Sequence, residues 1–388
     1  MPGFELIDNQ ERSSVLEVFD KSNGVLFAHG FDVRRNNIFR VRDFERKFAD
    51  KLGALSGAAC TSGTSAQYIA MKCMGIQPGD EVITQSFTFI ATIEAILACS
   101  AIPVIVDIDE TYNMSPEALE NAITKKTKLI VPVHMLGNPA EMSAINEIAN
   151  RYKIPVLEDA CEALGASYRG ISTGRLGTAG VFSLDFGKTI TTGEGGMIIS
   201  DNTELIKKCI QFIDHGHESN PSFPRGMDTA NFYGFNYRMS ELQAAVGLVQ
   251  IDKLDLILEK NRKHKAIIKG ELEKFVGKIK FRRITDSDEL ADTIIFNFEN
   301  MELAAKMVKM LSEEKLGTKN VPDAMRWHFS KNFTQIWNNT KFYSDFDTQW
   351  LKSDQLLARS ISLPVMVNWT NNDLDKITSS LNKILSKI

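Results

Sequence analysis

No cysteine motif is present in this sequence. Its five cysteines, Cys60, Cys73, Cys99, Cys161 and Cys209, are odd in number, widely spaced and never arranged as CxxC. That spacing excludes a zinc knuckle and a disulfide framework, and points to reduced, mostly buried thiols. Charge of one sign is also missing: net charge is −4 with 24% charged residues, so neither a nucleic-acid-binding face nor a membrane-binding surface is expected. Long apolar runs are absent. The most apolar stretch, 95–106, is too short to span a bilayer and is interrupted by Pro103. The first residues, MPGFELIDNQERSS, carry acids and no apolar core of a signal peptide. Internal repeats, low-complexity linkers, a Walker lysine loop and a GxGxxG fingerprint are lacking too. What is left is a soluble protein, expected in the cytoplasm, with no metal site.

A chain of 388 residues, 43% of them hydrophobic, can bury an ordinary core without cross-links. Between about 43 and 215, helical patterns alternate with short Val- and Ile-rich runs. The helical segments are VRDFERKFADKLG (Phe44, Phe48 and Leu52 four apart), TSAQYIAMKCMG, FIATIEAILACS, SPEALENAI and AEMSAINEIANRY. The short runs DEVITQ, IPVIVDID, KLIVPVH, IPVLEDA and GVFSLDF read as strands. This alternation predicts an α/β fold with a mostly parallel sheet covered by helices on both faces. One long helical stretch follows from Ser240 to about Phe275, then an α+β remainder. The expected division is a large domain over 1–250 and a smaller C-terminal domain over 251–388.

Four short segments carry candidate chemistry. In FSLDFGKTITTGEGG, Lys188 sits between a strand and a Gly-rich turn, an amine at a strand end where α/β proteins bind ligands. In EDACEALGA, Asp159 is at the tip of a strand; a carboxylate there can pair with a protonated ring nitrogen or simply cap a helix. In TSGTSA, Gly63, Thr64 and Ser65 open a helix, whose N–H and hydroxyl groups suit a phosphate as well as they suit capping. SFTFIA offers two phenylalanines that can stack on a flat ring or fill the core. An amine, a carboxylate, a phosphate nest and an aromatic platform are what pyridoxal phosphate (PLP) requires.

The ordered blocks FERKFADKLG, TSGTSA, PGDEVITQSFTFIAT, PVHMLGNPAEM, EDACEALGA, SLDFGKTITTGEGG, GFNYRMSELQAA and SISLPV resemble the DegT/DnrJ/EryC1/StrS sugar aminotransferases over nearly the whole chain. The resemblance implies a fold-type-I PLP enzyme. It makes Lys188 the Schiff-base lysine and Asp159 the partner of the pyridine nitrogen. Phe89 becomes the stacking aromatic, and Gly63, Thr64, Ser65 and Ser183 the phosphate contacts. Glu162 falls where glutamine or histidine usually meets the phenolic oxygen; a carboxylate there is repelled unless protonated or reoriented. Asn236, in the G-x-N-x-R motif, implies a homodimer in which it reaches the neighbouring active site. Glutamate is the implied donor, a keto-sugar the acceptor, and pyridoxamine phosphate (PMP) the intermediate form.

Lys188 separates this chain from dehydratases of the family, which carry histidine there, although a lysine-retaining dehydratase or a non-catalytic PLP-binding regulator are readings of a different class. The stretches GVLFAHGFDVRRNNIFRVRDFE, FIDHGHE and MRWHFSKNFTQIW, with the form SxDxxKTIT, resemble the branch that aminates 8-oxo-Kdo (3,8-dideoxy-8-oxo-manno-octulosonate) for lipopolysaccharide. For such a sugar acid, Arg34, Arg35, Arg40 and Arg42 supply guanidinium groups and His215, His217 and His328 are candidate pocket residues. A nucleotide-linked keto-sugar is the alternative acceptor, its pyrophosphate equally suited to those arginines.

Overall fold

The computed structural model describes residues 3–222, 227, 228, 232–340, 342, 343, 346 and 348–388. The short apolar runs are strands: β1 (Ser56–Cys60), β2 (Glu81–Gln85), β3 (Ile102–Val106), β4 (Thr127–Val131) and β5 (Leu157–Asp159). After a small hairpin, β6 (Ser167–Tyr168) and β7 (Ile171–Ser172), come β8 (Ala179–Ser183) and β9 (Gly196–Ser200). Hydrogen bonding gives the orders β1-β9-β8-β5 and β3-β2-β4. Two isolated parallel bridges, Ile130 with Val156 and Val133 with Asp159, join them into one continuous layer. Pairing within it is parallel except at β9, which runs against β1 and β8. The strands are buried almost residue for residue, as expected of a sheet covered on both faces.

The helices of this part are α1 (Asn9–Lys21), α2 (Arg40–Leu52), α3 (Gly63–Cys73), α4 (Ala91–Ala98), α5 (Pro116–Ala122), α6 (Met142–Tyr152), α7 (Thr203–Ile213) and α8 (Glu241–Asp252). Local chemistry sets their ends. Ser115 caps α5 with Pro116 in its first turn. Gly53 closes α2 at φ 76°, its N–H returning to Ala49 and Asp50 carbonyls. Phe44, Phe48 and Leu52 point one face of α2 into a core shared with Phe182, Met197 and Ile199.

The expected single helix from Ser240 is two. The second, α9 (Leu254–Leu272), starts after Lys253, where the chain turns. The Lys253 ammonium is tied there to the Leu6 carbonyl at 2.6 Å and to Glu11 at 2.7 Å. We propose to divide the large and small domains at this break. Beyond it, β10 (Lys280–Phe281), β11 (Thr293–Asn297) and β12 (Ser360–Pro364) form an antiparallel sheet. It is accompanied by α10 (Met301–Glu313), α11 (Met325–His328), α12 (Thr334–Thr340), α13 (Leu351–Ala358) and α14 (Asn371–Leu385). Among the described residues, no helix is long and apolar enough to cross a membrane.

The two parts are stitched together through their backbones. The segment after β2 pairs with the segment around α11: Thr88 N–H donates to His328 O, Ile90 N–H to Trp327 O, and Ser330 N–H to Ser86 O, each at 2.9 Å. Small-domain residues are thereby laid across the carboxyl edge of the large sheet.

Candidate active site

A cavity of about 350 Å³ opens at that edge, lined by residues that follow the ends of β1, β2, β4, β5 and β8. Of the residues singled out from sequence, Gly63, Thr64, Phe89, Asp159, Glu162, Ser183, Lys188 and His328 line it.

Asp159 ends β5 and is buried at the floor of the cavity. Its Oδ2 accepts from Gln67 Nε2 at 2.9 Å and from the Thr92 hydroxyl at 2.8 Å, while Oδ1 accepts from the Cys161 N–H at 3.2 Å. The neighbouring residue anchors the strand tip. Glu158 accepts from the Gly174 and Gly177 N–H groups and pairs with His134 Nε2 at 2.8 Å. Because the Ala140 N–H donates to His134 Nδ1, the ring proton sits on Nε2 and points to Glu158. The carboxylate of Asp159 is therefore held on a rigid support.

Lys188 lies in the loop after β8, with its Nζ 3.5 Å from Glu162 Oε1 and its side chain 14% exposed. Burial opposes its positive charge, but the nearby carboxylates of Glu162, Asp159 and Asp185 outweigh it and hold the ammonium above the usual lysine range. Glu162 mirrors this: burial favours the neutral acid, yet Lys188 first and His328 second keep it below the usual carboxyl range. The carboxylate is turned toward Lys188, and its Oε2 accepts the Leu136 N–H at 3.2 Å.

At the other end, Ser62 caps α3 and Ser65 returns the bond. The first-turn N–H groups of Gly63 and Thr64 have no intrahelical acceptor. A Cβ on Gly63 would stand 2.7 Å from that of Ser183, so only glycine fits between helix and strand. The Phe89 ring is 42% exposed and lies 5.3 Å from the His328 ring, centroid to centroid. His328 Nδ1 faces the Ala324 carbonyl at 2.9 Å, and burial pushes the ring toward its neutral form.

Several expected contacts lie elsewhere. The Ser65 hydroxyl is consumed by the capping box, donating to Ser62 O at 2.8 Å and accepting the Ser62 N–H at 2.9 Å. Arg34 is exposed and paired with Asp32 at 2.7 Å. Arg35 is 1% exposed and packs beside Glu241 at 3.2 Å, near enough for an ion pair though not aligned as a hydrogen bond. Arg40 pairs with Glu17, and Arg42 stacks over Phe31 and Phe39. No arginine of this chain lines the cavity among the described residues. His217 is bound to Asp228 at 2.5 Å, and His215 is exposed; neither lines the cavity. Asn236 is also outside it, exposed on the bridge to Asp214. Arg35→Ala is thus expected to cost stability, about 3 kcal/mol, by leaving Glu241 buried without its partner. Urea melts should show that loss while turnover per folded molecule stays near the parent's.

Gln67, Thr92, Cys161, Asp185, Glu194 and Asn320 line the cavity and were not singled out as contacts from the sequence. Gln67 lies three residues past TSGT on the same helix, which is the one signal that could have found it.

Comparison with known proteins gives the family. The sequence profile of the DegT/DnrJ/EryC1/StrS aminotransferase family matches residues 36–382. GDP-perosamine synthase of Caulobacter vibrioides is 41% identical over 252 residues, 64% of this chain and 63% of that protein. A pleiotropic regulatory protein of Geobacillus stearothermophilus is 41% identical over 252 residues, 63% of this chain and 66% of its own length. This chain therefore aligns with just under two thirds of each of these two relatives. NtdA of Bacillus subtilis, solved with bound cofactor PMP, superposes with a TM-score of 0.83 at 28% identity, covering 98% of this chain and 83% of NtdA.

Proposed function

The chain belongs to the DegT/DnrJ/EryC1/StrS aminotransferase family, and from that premise we propose that it transfers an amino group from glutamate to a keto-sugar, using PLP linked to Lys188. The observation that carries the reading is the placement of Lys188, from the loop after β8, and Asp159, from the end of β5, in one cavity that also receives the start of α3. The residues fit the cofactor. The N–H groups of Gly63 and Thr64 with the Ser183 hydroxyl would hold its phosphate, Asp159 its ring nitrogen, and Phe89 one face of the ring. Gly63 leaves the space a Cβ would fill. Bound there, the group supplies an electron sink for the carbon that gains or loses the amine.

The chain's own part is proton handling and orientation. Lys188, when its amine is free, would take a proton from the substrate carbon and deliver it to the carbon on the far side of the amine nitrogen, as base and then acid. Glu162 supports the charged form of that amine. Asp159, held by Gln67 and Thr92, keeps the opposing nitrogen protonated by charge attraction. Asn236 is exposed in a single chain, which suits a role in the active site of a second copy; we include a homodimer in the proposal.

For the acceptor we propose 8-oxo-Kdo. The segment MRWHFSKNF, one of the stretches that resemble the Kdo-aminating branch, supplies His328 to the cavity wall. A nucleotide-linked keto-sugar is the second reading, favoured by the 41% identity to GDP-perosamine synthase. Purified holoenzyme should lose its visible cofactor absorbance on adding glutamate, releasing 2-oxoglutarate. Amino transfer to 8-oxo-Kdo should then exceed that to a panel of nucleotide keto-sugars. Transfer only to a nucleotide sugar would leave the aminotransferase and remove the octulosonate. No bleaching by any amino donor would favour a regulator, as the name of the Geobacillus relative suggests for that protein.

A further inference from the structure

Glu162 is held from behind by one peptide group. The N–H of the Met135–Leu136 peptide donates to Glu162 Oε2 at 3.2 Å, and the carbonyl of the same peptide accepts from Arg282 Nη1 at 3.0 Å. The next carbonyl, that of Leu136, accepts from Arg282 Nη2 at 3.0 Å. Arg282 does not line the cavity; it comes from the small domain, immediately after β10, and is buried. Leu136 stands at φ 50°, ψ 47°, a left-handed conformation that a branched side chain rarely adopts. Two bonds from a rigid, planar guanidinium fix both carbonyls that flank this residue, and so fix where its N–H points.

We propose that Arg282 is a positioning residue for the transfer reaction: it clamps the Met135–Leu136 peptide so that its N–H holds the Glu162 carboxylate against Lys188. This rests on the reading of the cavity as the PLP site. Around Glu162 stand Lys188 from the loop after β8 and His328 from α11, with Lys319 and Asp292 of the small domain further off. Around Arg282 stand Glu289 at 3.5 Å, Asp292, Tyr112 and, further off, Glu162 itself, and Glu289 is in turn bound by Lys265 at 2.5 Å.

A clamp and a bare charge make opposite predictions. A cation acting through space on the Lys188 nitrogen would repel its proton, so removing Arg282 would raise the pH at which that proton leaves. If Arg282 instead holds the peptide, its removal frees Leu136, Glu162 loses its donor, and the Lys188 nitrogen loses a fixed counter-charge. The pH then falls.

The readout is the pH titration of the visible absorbance of the Lys188-linked cofactor in the full-length holoenzyme. Glu162→Gln should lower the midpoint by about one pH unit. Arg282→Met should move it the same way by about half a unit, and the double variant should add nothing to Glu162→Gln. An unchanged or raised midpoint in Arg282→Met overturns the proposal. Should that variant fail to fold, Arg282→Lys keeps the charge but reaches only one carbonyl. A lowered midpoint there supports the clamp, and one equal to the parent's overturns it. A parent without a visible band, or a band that survives Lys188→Ala, would strike the cofactor reading instead.

Discussion

Lys188→Ala is expected to reduce amino transfer from glutamate by about four orders of magnitude or more, and to abolish borohydride-stable attachment of the cofactor. Two proposed functions would disappear together: the covalent link, and the base and acid that moves the substrate's proton, which alone is worth about 10²–10⁴ in rate. The substitution also leaves Glu162 ionised in a buried site with its nearest cation gone, so some loss of stability is expected as well. Lys188→Arg separates the effects. It retains a charge for Glu162 and should melt closer to the parent, yet it cannot form the link and should be as inactive as the alanine variant. Turnover above about 1% of the parent's in either would end the assignment of Lys188.

Asp159→Asn carries the second largest expected effect, a fall in kcat/KM of about two to three orders of magnitude with a smaller loss of cofactor affinity. The replacement is nearly isosteric. An amide oxygen on the Oδ2 side can still accept from Gln67 and Thr92, so the support remains. What goes is the charge that favours a protonated ring nitrogen, and with it much of the electron withdrawal. The other amide group would face the Cys161 N–H, donor against donor, a modest further cost. Stopped-flow measurement of the glutamate half-reaction should place the loss in the proton-transfer step. A variant with parental half-reaction rates would show that Asp159 serves the fold alone.

The parts of this molecule that could be read from sequence are those whose physics is local. Parallel strands covered on both faces leave unbroken Val and Ile runs, so β2, β3, β4, β5 and β8 are visible without partners. The lysine between strand and Gly-rich turn is visible for the same reason. The division of the long helical stretch at Lys253 was not, because nothing in 240–275 breaks a helix; the turn coincides with bonds to Leu6 and Glu11. Gln67 and Thr92 look like ordinary helix residues until the sheet brings Asp159 opposite them. Arg35 shows the limit most directly: a guanidinium close in sequence to three others suggests an anion site, and only the fold reveals that Glu241, far along the chain, already occupies it. His328 lies in a segment singled out for its resemblance to a particular branch of the family, and the backbone bridge to Thr88 delivers it to the cavity wall.

That bridge joins main chain to main chain. The attachments run through N–H and carbonyl groups that every residue but proline possesses. Side chains at 327 and 328 can therefore be exchanged without unfastening the seam, much as a panel can be swapped in a frame that keeps its hinges. If the proposed function holds, exchanging His328 in a library of variants is expected to change acceptor preference while the lysine, the aspartate and the sheet beneath them stay untouched.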